Sequence, residues 1–119
     1  MTIEASSFEN LKFLENLPWT LENNKKNEKG SQKSEIYYFS LTTCMYCKKG
    51  LKWLREREVS FKWLYLDNLE PNLKKKVKTW VQEHFKLKTR MASPFVIFKT
   101  DSGEYYSDGF DPEYWKAKI

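Results

Sequence analysis

The sequence predicts an α/β fold: a four-stranded mixed sheet in the order strand, helix, strand, helix, strand, strand, helix, preceded by an N-terminal helical extension. Three observations carry that expectation. Short β-rich apolar runs alternate with two segments of helical periodicity, the pattern of a parallel crossover. The last two β-rich runs are separated only by a turn sequence, so they pair antiparallel. A chain of 119 residues with 40% hydrophobic content is enough for one core without disulfides or a structural metal.

Taken in order, residues Ser6 to Leu17 suit a short helix. Ser6 and Glu9 have capping-box spacing, and Phe8, Leu11, Leu14 and Leu17 form an apolar stripe ahead of Pro18. After Trp19 and Leu21 the polar run "ENNKKNEKGSQKSE" has almost nothing to bury and reads as a linker. The chain therefore divides into an extension, residues 1–34, and a compact domain, residues 35–119. "EIYYF" opens that domain as a strand covered on both faces. Met45 to Arg57 reads as a helix with Cys47, Leu51 and Leu54 on one side, and "VSFKWLYLD" as the second strand. Asn68 to Leu87 carries Leu69, Leu73, Val77, Trp80, Val81 and Phe85 at helical spacing, with Asn68 as its cap and Pro71 in the first turn. "PFVIF" is the third strand, "KTDSG" a turn and "EYYS" the strand that closes a hairpin. "FDPEYWKAKI" ends the chain as a short helix, with Trp115 and Ile119 packing back.

The formal net charge of +5 is unevenly placed. Residues 1–34 hold five Lys and five Glu, so the excess falls in residues 35–119. It favours anionic small molecules or acidic protein partners by steering, and it is too scattered to indicate nucleic acid. No apolar run approaches the roughly 18 residues of a membrane span. The start "MTIEASSFENLKF" lacks both a basic segment and an apolar h-region. These features lead us to expect a cytoplasmic protein with no membrane association, and a monomer is the expected state.

The chemistry concentrates in "FSLTTCMYCKKGLKWL", which contains the only two cysteines, Cys44 and Cys47. In this layout Cys44 sits at the mouth of the first long helix and Cys47 one turn inside it. A helix N-terminus offers unsatisfied N–H groups and partial positive charge, both of which favour a thiolate, and Lys48 and Lys49 follow directly. Cys44 is therefore the expected nucleophile, and Cys47, more buried, the resolving thiol. A zinc site needs four ligands, whereas the chain offers no third cysteine and only His84, so no metal is expected. A structural disulfide would close a very small loop and is disfavoured in a reducing compartment. A redox dithiol is the preferred reading. His84 reads as a packed helix residue rather than a base, and "KKKVK" at Lys74–Lys78 as a solvated helix face. The Trp and Tyr residues fall at core positions, which argues against base-stacking platforms.

With the elements in order, residues 35–119 resemble a glutaredoxin-like redoxin of the thioredoxin superfamily, over about 85 residues. "TTCMYC" is similar to the Cys-Pro-Tyr-Cys motif, with Met45 in place of the proline; "ASPFVIF" stands where the family has Thr-Val-Pro. "YYSDGFDPEYW" resembles the Ser-Gly-Phe-x-Pro ending of the redoxins that feed electrons to ribonucleotide reductase. The resemblance implies a thioredoxin-like fold and a thiol-disulfide oxidoreductase that reduces protein or glutathione mixed disulfides. It requires no metal or organic cofactor, and glutathione or thioredoxin reductase would be the electron donor. By position, Pro94 would be cis and face the cysteines, and the Ser93 backbone would pair with an extended thiol substrate. Tyr46 would flank the reactive sulfur, and Lys48 would support the thiolate. Arg90 would pair with a glutathione carboxylate, and Asp111 would meet the ligand's amino group. The sequence departs from the pattern at Leu41, where many glutaredoxins carry lysine, and at Ser107 and Asp108, which interrupt a double glycine. Two other classes stay open at this point. One is a [2Fe–2S] carrier that bridges two protomers through the first cysteine and glutathione. The other is a non-catalytic module whose N-terminal helix recruits a partner.

Overall fold

Two strands are buried on both faces, and they organise everything else. Ile36, Tyr37, Tyr38 and Phe39 in one, and Phe95, Val96, Ile97 and Phe98 in the other, are all at most 2% exposed. The structure is a computed structural model that describes residues 12–22, 32 and 34–119. Its elements are helical residues 12–15 (α1), Thr20–Glu22 (β1), Glu35–Ser40 (β2), Met45–Glu56 (α2), Phe61–Tyr65 (β3), a 3₁₀ turn Leu66–Asn68, Pro71–His84 (α3), Phe95–Thr100 (β4), Gly103–Asp108 (β5) and Pro112–Lys118 (α4).

Among the described residues the sheet has five strands in the order β1-β3-β2-β4-β5, with β2 and β3 parallel and every other neighbouring pair antiparallel. This corrects the expected four strands. The added strand, β1, has three residues, too few to show alternation in sequence. It pairs along the outer edge of β3, Thr20 opposite Trp63 and Glu22 opposite Phe61. Glu22 then receives a guanidinium N–H from Arg55 at 2.9 Å and the Trp63 indole N–H at 2.9 Å.

Alternation along the inner strands sorts their side chains into two layers. Tyr37, Phe39, Phe95 and Ile97 pack with Leu14, Leu17, Val77 and Val81 on the α1 and α3 side. Ile36, Tyr38, Val96 and Phe98 pack with Leu51, Leu54 and Trp115 on the α2 and α4 side.

Element limits shift by a few residues from the sequence reading. Helix α3 starts at Pro71 and is capped by Glu70, whose carboxylate accepts the N–H groups of Asn72 at 3.1 Å and Leu73 at 3.2 Å. Asn68 belongs to the preceding 3₁₀ turn instead of capping the helix. That turn has a consequence for the site, because it carries Asp67.

The described part of the N-terminal extension is built into the core. Leu14 is fully buried, and the Trp19 indole donates to its carbonyl at 2.7 Å while packing 5.3 Å from the Tyr37 ring and 5.0 Å from Phe39. Gln32 brackets the Ser60 backbone, donating to its carbonyl at 2.7 Å and accepting its N–H at 2.8 Å. Phe8, Leu11 and the Ser6–Glu9 capping pair lie outside the described residues. Among those described, no helix is long and apolar enough to cross a membrane.

Leu14→Ala should cost about 2–5 kcal/mol, the range for truncating a buried leucine. A urea titration would read this as a lower midpoint; an unchanged midpoint would mean that the extension adds nothing to the core.

Candidate active site

Strand directions bring four chain segments to one edge of the sheet. Because β2 and β3 are parallel and β4 and β5 alternate, the C-terminal ends of β2, β3 and β5 lie beside the N-terminal end of β4. The segments there are Leu41–Cys44, Asp67, Asp108–Phe110 and Ser93–Pro94.

Cys44 is the N-cap of α2, where a short polar side chain usually accepts a free helix N–H. Its sulfur takes that role, accepting the N–H of Cys47 at 3.1 Å, while its carbonyl accepts the N–H of Lys48 at 3.2 Å. Cys44 is half-buried and Cys47 fully so, and neither is in a disulfide. Burial pushes the Cys47 thiol up to about 12, reinforced by its hydrogen bond to Cys44. The two sulfurs, one turn apart, are therefore unequal. One reaches the surface beside an N–H donor; the other stays protonated beneath it.

The nucleophile's loop is tied on its β3 side. Asp67 accepts the Thr42 N–H at 3.1 Å and also the Thr42 hydroxyl, and these bonds hold its carboxyl below the usual range. Beneath α2, the Tyr38 hydroxyl donates to the Cys47 carbonyl at 2.7 Å. Burial raises that phenol, so it stays a neutral donor. Such an approach requires Gly50, since a Cβ there would fall 2.1 Å from the Tyr38 oxygen and 2.8 Å from the Trp115 ring.

The opposite wall is the start of β4. The Ser93–Pro94 bond is cis, and the Ser93 carbonyl lies 3.7 Å from the Cys44 sulfur. Gly109, at a φ of 115°, donates its N–H to the Pro94 carbonyl at 2.9 Å. Asp108 accepts the Ala92 N–H at 2.5 Å. Phe110 stacks on Tyr46 with centroids 6.3 Å apart, so Tyr46 joins the two walls above the dithiol. Met45 and Tyr46 are 68% and 58% exposed, an apolar rim next to the reactive sulfur.

The remaining sequence candidates divide. Lys48 is exposed in the first turn of α2, next to Cys47, and Arg90 is exposed on the loop that leads to Ser93. Asp111 is exposed at the head of α4 and caps it, one carboxylate oxygen accepting the Tyr114 N–H at 3.3 Å. His84 stacks on Trp80 at 4.6 Å and sits 2.5 Å from a Glu104 oxygen, at the opposite end of β5 from Asp108. No cluster of three or more metal-ligating side chains occurs among the described residues. Sequence reasoning missed Asp67, Tyr38 and Gly50 as parts of this site, and marked Asp108 only as an interruption of a double glycine, without its bond to Ala92. Each acts across strands or through the backbone, and no local spacing marks it.

A Cys-x-x-Cys pair capping a helix, opposite an X–cis-Pro bond at the edge of this sheet, is the architecture of a glutaredoxin-like redoxin of the thioredoxin superfamily. Solved structures bear out that class. The chain is similar to the glutaredoxin from Methanosarcina mazei Go1, with a TM-score of 0.64 and 19% identity over 83% of this chain and 84% of that one. It is similar to Methanosarcina acetivorans methanoredoxin, with a TM-score of 0.61 and 23% identity over 74% and 86%. The glutaredoxin grx-1 from Archaeoglobus fulgidus gives a TM-score of 0.60 and 27% identity over 76% and 89%. No family model and no curated protein matches the sequence.

The unequal thiols have a direct readout. With an alkylating agent at neutral pH, folded reduced protein should be labelled at Cys44 alone, and Cys47 should react only after unfolding. Because the Cys47 thiol is raised to about 12 in the fold, it keeps its proton where an unfolded thiol, with a pKa near 8.5, has lost it. The reduced protein should therefore lose stability as pH rises from roughly 9 towards 12, and chemical unfolding across that range would show it.

Proposed function

We propose that this chain is a dithiol disulfide reductase acting on protein or glutathione mixed disulfides. The observation that carries this reading is the pair itself. Cys44 presents an accessible sulfur that accepts the Cys47 N–H at 3.1 Å, above a buried, protonated Cys47.

The Cys44 thiolate attacks one sulfur of the substrate disulfide. A Cys44–substrate disulfide forms, the substrate S–S bond breaks, and the first substrate thiolate departs. Cys47 then gives up its proton to a departing thiolate and attacks the Cys44 sulfur. The Cys44–Cys47 disulfide closes and the second substrate thiol is released. Two electrons pass to the substrate, and either two molecules of glutathione, leaving as oxidised glutathione, or a thioredoxin reductase supplies two electrons to restore the dithiol.

Lys48 and the start of α2 support the thiolate, and Tyr46 flanks it. The Ser93–Pro94 edge takes the extended backbone of the substrate, as in strand addition. Arg90 and Asp111 are the candidates for the charged ends of glutathione. No metal or organic cofactor is needed, and we expect a cytoplasmic monomer.

Cys44→Ser should abolish disulfide reduction, and Cys47→Ser should accumulate a one-to-one mixed disulfide visible by intact mass. Reduction persisting in Cys44→Ser would sink the mechanism. Comparing glutathione with thioredoxin reductase and NADPH as reductant of the oxidised protein identifies the donor.

A further inference from the structure

We propose that Asp108 is a specificity-determining residue that turns the dithiol away from disulfides bearing a carboxylate on the β5 side of the cleft. The inference deepens the reductase reading above and rests on it.

Asp108 is the last residue of β5, directly opposite Phe95 of β4. Its exposed side chain reaches back to accept the Ala92 N–H at 2.5 Å. Ala92 immediately precedes Ser93, whose carbonyl lies 3.7 Å from the Cys44 sulfur. The carboxylate is thus fixed in direction along the backbone edge that a substrate disulfide must lie against. Neighbouring strands are about 4.8 Å apart, which puts the end of β5 roughly 10 Å from the end of β2. Groups attached to the sulfur under attack fall within that span.

No ion pair offsets this charge among the described residues. The cationic groups of the site form no ion pair with it. Lys48 and Lys49 ride on α2, the latter over the Tyr46 ring at 5.3 Å, and Arg90 lies two residues before Ala92. On the β5 side the hollow at the strand end, lined by Tyr106, Ser107, Asp108, Phe110, Asp111 and Tyr114, contains two acids and no base. An anion passing Ser93 therefore meets repulsion there, while a neutral or cationic group does not. At separations of 5–10 Å with an effective dielectric between those of protein surface and water, one like-charge contact changes a rate about two- to tenfold. It should fade with salt, because about 10 Å is the screening length near 0.1 M.

The test compares oxidised glutathione with its fully esterified form, which keeps the same disulfide but loses the carboxylate charges and retains the two ammonium groups. Initial rates are measured for the wild type and Asp108→Asn, whose amide oxygen can still accept the Ala92 N–H. Asp108→Asn should raise kcat/KM for oxidised glutathione about two- to tenfold and should not raise it for the cationic ester. In the wild type, the ratio of the two substrates should move towards that of the variant as salt is raised. The proposal is overturned if the ratio is the same in both proteins, or if both substrates change together, which would make Asp108 a structural tie only. A wild type that reduces neither of these disulfides nor a protein disulfide would instead remove the reductase reading itself.

Discussion

The site depends on one constraint: β2 and β4 are buried on both faces and locked side by side in antiparallel register, Phe39 opposite Phe95. Eight large side chains, distributed to two layers, leave these strands no alternative register, since a one-residue slip would exchange the layers. The loops leaving their adjacent ends are consequently brought together. Strand pairing thus brings the Ser93 carbonyl to 3.7 Å from the Cys44 sulfur, close enough to accept its S–H.

Burial also explains why two identical side chains, three residues apart, behave differently. One helical turn carries Cys47 from the rim into the core, where Tyr38 and Gly50 allow α2 to lie close on the sheet. Neutral thiol is the favoured form in such surroundings. Cys44 stays at the cap position, where an N–H is already directed at its sulfur. The asymmetry that a two-step exchange requires is therefore a product of depth below the surface.

The sequence shows most of this scaffold and part of the site. Alternation and length identified the seven elements of residues 35–119 in their order, because the apolar runs there are long and their punctuation, Pro71, "KTDSG" and Pro112, is local. Cys44 and Cys47 were legible as a pair at the head of a helix because their spacing is local, and the structure places Cys44 at the cap with Cys47 one turn inside. The strand β1 was not, since its pairing is decided by the free edge of β3 and by Arg55 and Trp63, which grip Glu22 from a distance in sequence. Asp67 was invisible as a site residue for the same reason, and Asp108 was marked only as an interruption of a double glycine. Their bonds to Thr42 and Ala92 join segments that only the folded sheet makes neighbours.

Those two aspartates do comparable work on opposite walls. Each leaves the end of one strand and accepts a backbone N–H from the loop of the next. Both are exposed, so water competes for the same bonds and the contribution to global stability is small. What an exposed tie of this kind changes is the spread of positions open to a loop, because a charge-assisted hydrogen bond is directional as well as favourable. The Thr42 tie limits where the α2 cap can sit, and the Ala92 tie limits where the Ser93 carbonyl can sit. A serine or asparagine could supply the acceptor in either place. Using a carboxylate adds a fixed negative charge at the rim, and that charge acts on whatever approaches the sulfur.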